Sequence, residues 1–423
     1  MDTVDLVVVG LGTAGAAAAG LAARAGLKVV ALDRRPLDQA GARWVNAVPK
    51  WCFERAGLRL PEAPELRAAS APMHLVAGWG PTRLTLAGHA LYEVDMRLLV
   101  ARLQAEAAQA GAELRGQVAV RGLNDGVLHT DAGPIRARWV ADASGLAGAG
   151  LLSRPRPRPE ELCTAAQEVR AVTDRQGALS FLRRYDAAEG ETLAFTCVAG
   201  GYSVVNVRLE GEELSILTGS VPATGAPSGR ALMDRFVAEH TWVGETIFGG
   251  ARAIPIGRPS LRLAEGPVAL LGDAASQVYA MHGSGIGAGL VAAAMLVEAL
   301  SGGGTPQDYN YQWQRTWGGE MAGAAAFARF SSTVTPEDMA GLIRAGLMNG
   351  DLARKGLEQT PPTPALTTLP VLALGVLRAP RLAARMGPVL GRIAALRALY
   401  ATVPRDPAQL ADFEARVDRL VQG

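Results

Sequence analysis

Two glycine-rich stretches in this chain have the residue types to cradle phosphates and a polarisable ring. The first is Gly10-Leu11-Gly12-Thr13-Ala14-Gly15, preceded by the apolar run Leu6-Val9. The second is Gly272-Asp273-Ala274-Ala275, a short gap, then His282-Gly283-Ser284-Gly285-Ile286-Gly287. In the first, Gly10 permits a tight turn, Gly12 lets backbone approach a pyrophosphate, and Gly15 lets the next helix pack close to the strand. Asp33 follows about 20 residues on, where a carboxylate accepts ribose hydroxyls and disfavours a 2′-phosphate. In the second, Asp273 can accept a hydroxyl of a ribityl chain. Gly283, Ser284, Gly285 and Ile286 then open an apolar helix. A helix start carries unpaired N–H groups and partial positive charge. Aimed at the N1/C2=O edge of a flavin, it would stabilise the anionic reduced ring. The first motif fits NAD or FAD alike; the two sites in this order point to FAD.

These residues need particular elements to position them. Leu6-Val9 and Lys28-Leu32 read as buried parallel strands. The alanine-rich segment from Ala14 to about Ala25 reads as a buried helix closed by Gly26. Gly266-Leu271 reads as a strand ending at Gly272-Asp273, and the helix after Gly285 runs to Leu300. Trp139-Val140-Ala141 reads as a further strand, ending in Asp142-Ala143-Ser144-Gly145. Runs at Glu113-Val120, Gly126-Thr130 and Pro134-Ala137 are expected to form a small antiparallel layer over the parallel sheet. Asp95–Ala110 and Arg230-Glu239 are expected as helices.

With these motifs in order, the chain resembles the flavoprotein group of p-hydroxybenzoate-hydroxylase-type monooxygenases and geranylgeranyl reductases. The resemblance covers about residues 1 to 330. It implies an α/β architecture: a Rossmann-like FAD domain of the glutathione-reductase type, interleaved with a β-sheet substrate domain and followed by a helical C-terminal extension. It implies FAD contacts from Gly10, Gly12, Thr13, Ala14, Gly15, Asp33, Asp142, Gly272, Asp273, Gly283, Gly285 and Ile286. Arg34 and Arg43 fall where that group places phosphate- or adenosine-facing arginines. Val118 is placed beside the adenosine end, and Arg97 stands next to Met96, where many members carry arginine.

Departures from the pattern shape the functional expectation. Ala280 replaces the usual proline. The reductase cysteine motif after the second strand gives way to Arg43-Trp44-Val45-Asn46. Gly200-Gly201-Tyr202-Ser203-Val204-Val205 resembles a reductase strand without its Trp and Phe-Pro, and the halogenase Trp-x-Trp-x-Ile-Pro is absent. The expected activity is therefore an FAD-dependent monooxygenase acting on a bulky apolar or aromatic substrate through a C4a-hydroperoxide in a dry pocket. The alternatives are a reductase of isoprenoid double bonds and a partner protein with structural FAD. His282 is the one titratable side chain placed near the ring and the candidate catalytic residue. Trp44 and Tyr202, with Trp51 and Trp79, are candidates to line the substrate pocket. Only one nucleotide fingerprint is present, so NADH or NADPH would visit transiently.

Composition agrees with a folded enzyme. The 423 residues are 49% hydrophobic, enough for a large core. The formal net charge of +2 argues against general nucleic-acid binding. Cys52, Cys163 and Cys197 show no metal or disulfide spacing, which suits a reducing cytoplasm. The first strand begins close to Met1, so no signal peptide is expected.

The expected FAD domain comprises residues 1-72, 95-153 and 265-335. The substrate domain takes 73-94, with a hairpin of Met73-Val76 and Arg83-Leu86, and 154-264, with strands at Thr192-Val198, Tyr202-Leu209 and Leu214-Ser220. An Arg-Pro crossover joins them at Arg154-Pro159. The extension, 336-423, contains a Pro361-Pro364 linker and two apolar, arginine-bearing segments, Leu369-Leu377 and Arg381-Tyr400, broken up by Pro370, Pro380 and Pro388. These would pack on the core or dock residues 365-423 on a membrane surface or a protein.

Overall fold

The computed structural model describes residues 3–361 and 366–423. Its organising element is an eight-stranded sheet built on Thr3–Val9. Val29–Leu32 and Gly133–Asp142 flank this strand, both parallel to it. Glu113–Arg115 and Val268–Leu270 extend the parallel set on either side. The register brings Val9 level with Leu32 and Asp142, and Asp142 level with Leu270. All four strands thus end together, and the order reverses at the first strand. A crevice at such a switch point is where α/β sheets bind ligands.

Valine and leucine fill these strands because both faces are covered. The helix Thr13–Arg24, rich in small residues, lies close on the sheet and packs against Ile286–Ser301 and Met96–Gln109. Asp95 caps Met96–Gln109 by accepting the Arg97 N–H at 3.0 Å.

The expected antiparallel layer keeps three strands, Val127–Thr130 pairing with the start of Gly133–Asp142 on one side, but its third member differs. Val120–Asn124 and Val127–Thr130 do form a hairpin. Glu113–Arg115 instead joins the parallel sheet beside Val29–Leu32. The runs at Pro134 and Trp139 are one strand, whose burial alternates over its first half and is continuous over its second. That change of pattern within ten residues made one strand look like two.

A seven-stranded sheet forms the second body. The hairpin Met73–Ala77 and Arg83–Leu86 joins it, with Met73–Ala77 parallel to Thr192–Thr196. Ser203–Glu210 and Glu213–Ser220 continue the sheet. Two long strands, Leu162–Val172 and Val243–Pro255, complete it and were not anticipated. The first carries Gln167, Glu168 and Arg170 in a buried or half-buried run, and the second is largely exposed around Gly249-Gly250. Neither shows the alternation that marks a half-buried strand.

The tail divides in two. Pro380–Tyr400 lies along Gly319–Ser331 and buries Val389, Ile393, Leu396, Leu399 and Tyr400. Arg397 holds Glu320 at 2.6 Å, and Arg258 holds Glu414 and Asp418, each at 2.6 Å. Pro370 and Pro380 sit in the first turns of their helices, where no N–H is needed. Pro388 lies inside Pro380–Tyr400 without ending it, on a stretch whose neighbours Gly387 and Leu390 face solvent. Of the expected linker, Pro362-Thr363-Pro364 lies outside the described residues. Among the described residues no helix is long and apolar enough to cross a membrane. All three cysteines are free and buried.

Candidate functional site

The two glycine motifs meet at the crevice. A Cβ on Gly272 would lie 3.3 Å from the Cβ of Ala14, and one on Gly289 would lie 3.1 Å from it. Gly10 turns at φ +97°, and a Cβ on Gly15 would fall 1.8 Å from the Gly10 carbonyl oxygen. Both helix starts are capped by glycines, Gly12 and Gly285, with no side-chain hydrogen bond to the first turn. Their leading N–H groups are therefore unclaimed by side chains, the arrangement that receives anions and polarised oxygens.

The acids around the crevice divide by function. Asp33 is nearly buried and staples the first turn, accepting from Leu11 N at 2.8 Å and Arg35 N at 2.9 Å. Val118 N donates to the Asp33 carbonyl at 2.9 Å, which sets Val118 beside that end of the crevice. Asp142 accepts from Ser144 N at 3.0 Å, the Ser144 hydroxyl and Ala149 N at 3.2 Å, so it shapes the loop after its strand. Asp273 differs. Among the described residues its carboxylate accepts no hydrogen bond, and a Cβ on Gly285 would lie 3.2 Å from its Oδ1. Its pKa is raised because protein surrounds it, with Arg252 and Arg154 partly offsetting that effect.

Those two arginines were missed by the sequence reading. Arg252 projects from Val243–Pro255 of the other sheet and donates to the Gly41 carbonyl. Gly41 in turn lies against Gly12. Desolvation and the neighbouring Arg35 lower the Arg252 pKa, while Asp273 and Asp33 act the other way. The cation thus sits between the two motifs and stays partly exposed. Arg154 donates to the Leu146 carbonyl, and Asp142 and Asp273 both act on its charge. Arg154 opens the Arg-Pro run, whose prolines drew attention to stiffness and away from charge. Arg252 follows Gly249-Gly250 on a strand that had no recognisable pattern.

The predicted arginines are differently placed. Arg34 is exposed beside Asp33. Arg43 is exposed and donates to the Asp38 carbonyl at 2.7 Å. Arg97 commits Nε and Nη2 to Asp95, at 3.0 and 2.6 Å, and lies 3.4 Å over the Phe248 ring. Those contacts make it a strut between the capped helix and the second sheet.

The loop before Ile286 forms the other wall. Tyr202 is 9% exposed and donates its hydroxyl to the Ala280 carbonyl at 2.8 Å, anchoring the loop to the second sheet. A Cβ on Gly283, which sits at φ +72°, would approach that hydroxyl to 3.4 Å. Tyr202 is therefore an anchor with little surface left for a ligand. Trp44 is half-buried, with Arg252 5.9 Å from its ring centre. Trp51 stacks on Trp317 at 5.1 Å and donates to the Glu358 carbonyl, which removes it to the helical core. Trp79 packs on Phe195 at 4.5 Å, within the aromatic cluster of the second sheet.

His282 is exposed, its ring 5.2 Å from that of Tyr279. Surrounding protein pushes its pKa down to about 4, against a raising effect from its own backbone and from Leu357 and Gly356. The residue is exposed, so solvent moderates that depression. The imidazole is neutral at neutral pH.

Two uncapped helix starts, an unbonded Asp273 carboxylate and two crevice arginines suit a ligand with phosphates at its middle and hydroxyls on either side. FAD meets that description. Gly12 and the start of Thr13–Arg24 would face its pyrophosphate with Arg252, Asp33 its ribose, Asp273 its ribityl chain, and Gly283 to Ile286 its ring.

Known proteins resemble this chain in sequence and in fold. The family described as Lycopene cyclase protein matches residues 5–172. Digeranylgeranylglycerophospholipid reductase 1 of Methanopyrus kandleri is 27% identical over 372 residues, covering 79% of this chain and 91% of that protein. A geranylgeranyl bacteriochlorophyll reductase-like structure from Thermoplasma acidophilum superposes with a TM-score of 0.72 at 18% identity, over 92% of this chain and all of that one. A probable FAD-dependent monooxygenase from Pseudomonas aeruginosa superposes with a TM-score of 0.53 at 17% identity, over 85% of this chain and all of that one. The resemblance read from the motifs is borne out, and so is the fold.

Proposed function

We propose that this chain, an FAD-dependent oxidoreductase of the p-hydroxybenzoate hydroxylase and geranylgeranyl reductase-like group, reduces carbon–carbon double bonds of an isoprenoid substrate. The observation that carries this reading is the match to a digeranylgeranylglycerophospholipid reductase along 91% of that protein's length. It reverses the order of preference drawn from the sequence departures, where the monooxygenase stood first.

When bound and reduced, FAD would supply the hydride, and a solvent proton would complete the addition to the double bond. The residues of the chain do the rest. The helix start at Gly285–Ile286 favours negative charge on the reduced ring. Arg252 and the uncapped start of Thr13–Arg24 would hold the phosphates. Tyr202, by fixing Ala280, sets the height of the ring-facing loop. His282, held neutral, places no permanent cation beside an apolar chain.

One feature favours a second reading. Arg43-Trp44-Val45-Asn46 stands where reductases carry their cysteine motif, and Cys52 is buried with its pKa pushed far up by burial. The Arg43–Asn46 stretch itself carries no thiol, and the monooxygenase reading keeps its place as the alternative. One experiment separates the two. Chain reduced under anaerobic conditions is given a geranylgeranyl lipid, and the product is weighed by mass spectrometry. Flavin re-oxidation without oxygen, with two hydrogens gained per double bond, is expected. Turnover only in air, with an oxygen atom gained, would overturn the proposal.

A further inference from the structure

The helix Leu369–Arg378 breaks the rule that governs the rest of the fold. Its sequence is apolar on every face until Arg378, and a helix of that kind is normally buried. Here its one buried residue is Gly375, tucked against Ala345 and Leu347. Leu369, Val371, Leu374, Val376 and Leu377 are all exposed, Leu377 by 77%. With Leu390 of the next helix they make six of the nine exposed large hydrophobic side chains among the described residues. Clustering of that degree marks a surface that something else covers.

Charge says what covers it. From residue 359 to 405 there is no aspartate or glutamate, while Arg378, Arg381, Arg385, Arg392, Arg397 and Arg405 all fall within that span. Arg385 and Arg397 are occupied by Asp338 and Glu320. Arg378 and Arg381 flank the exposed leucines and are themselves exposed. A second copy of the chain, docked by a two-fold axis, would set this patch against itself and bring like charges together. An anionic surface with an apolar interior meets both features at once.

We propose that Leu369–Arg378 and the first turns of Pro380–Tyr400 seat this chain on the surface of an anionic lipid bilayer. The helix is too short to cross, so it lies in the interface, with its leucines inward and Arg378 and Arg381 at the headgroups. The position suits a substrate drawn from a membrane. Leu369–Arg378 packs on Pro336–Ala345, which packs in turn on the Met73–Ala77 and Arg83–Leu86 hairpin. Gly350–Leu357 rests on Arg83–Leu86 and places Gly356 against Met281, next to His282. The docking face thus connects, through Pro336–Ala345, the hairpin and Gly350–Leu357, to the loop that carries His282. The docking proposal gains meaning from the isoprenoid reading but rests on separate residues.

Vesicle sedimentation tests it without any turnover measurement, so a failed reductase assay leaves the result intact. Full-length protein is mixed with vesicles of phosphatidylcholine alone, or of phosphatidylcholine and phosphatidylglycerol in equal parts. Binding to the mixed vesicles is expected to be tighter by on the order of tenfold or more, and to weaken with salt. Leu374→Glu with Leu377→Glu should abolish binding to both. Arg378→Glu with Arg381→Glu should remove only the preference for the anionic vesicles. Unfolding temperature, followed by circular dichroism, should be unchanged in both variants. Equal sedimentation of wild type and leucine variant overturns the proposal. So does light scattering that shows a wild-type dimer, dissolved by the leucine variant, with no vesicle binding.

Discussion

Ala14 and Gly272 touch: a Cβ on Gly272 would sit 3.3 Å from the Ala14 methyl. Through this contact the two glycine motifs become one site. It also explains why Gly272 resists replacement, since its φ of +61° adds strain for any side chain. Gly272→Ala is expected to cost about 1–2 kcal/mol in stability and to lower the FAD retained per chain on purification. The absorbance ratio of flavin to protein, with thermal unfolding, checks both.

Arg252 is expected to matter more than any of the arginines named from the sequence. A hydrogen bond to a charged group is worth about 1.5–3 kcal/mol, so Arg252→Ala should weaken FAD binding roughly tenfold to a hundredfold. Titration of flavin fluorescence into ligand-free chain measures it. Arg43→Ala, which alters an exposed contact to a carbonyl, should change the same Kd little.

Asp273 gives a pH signature. Its folded pKa is raised, so between its unfolded and folded values the folded chain holds the extra proton. Stability from this group therefore falls as pH rises through that window. At neutral pH the ionised carboxylate is a burden that Asp273→Asn removes. The ligand-free variant should melt above wild type at neutral pH, and the gap should close in acid. A variant that melts lower at neutral pH refutes the assignment.

His282 is expected to show no titration near the ordinary imidazole value, because its pKa is pushed down to about 4. An obligatory general acid or base contributes on the order of 10²–10⁴ in rate. His282→Gln should lose far less than that and keep its flavin. Steady-state rates across pH, for both proteins, test the point; a limb between neutrality and mild acid that vanishes in the variant would restore His282 as an acid–base group.

Arg258 ties the last helix to the core through Glu414 and Asp418. Arg258 is nearly buried and both carboxylates are partly exposed, so Arg258→Ala should cost up to about 3 kcal/mol. Limited proteolysis should then release the C-terminal helix before the rest of the chain.

The local motifs were legible because they are local. Gly10 to Gly15, Asp33, Asp273 and Gly283 to Ile286 owe their geometry to turn and helix-start chemistry within a few residues. The alternation of Glu213–Ser220 and the valine run of Thr3–Val9 likewise declare themselves through side-chain period and burial. What a neighbour across the fold would do was not legible. Val243–Pro255 carries no clear period, because much of it is exposed, so neither the strand nor the reach of Arg252 to Gly41 could be read. Tyr202 has the composition of a pocket residue, yet its hydroxyl is spent on Ala280.

The tail shows the same division. The sequence alone determined that residues 359 to 405 carry arginines, many apolar residues and no acid. Whether those apolar residues were core or surface depended on what packed against them. Pro380–Tyr400 found Gly319–Ser331 to lie along, and Leu369–Arg378 found almost nothing. Burial is a property of the partner as much as of the residue, and only the tertiary structure supplies the partner.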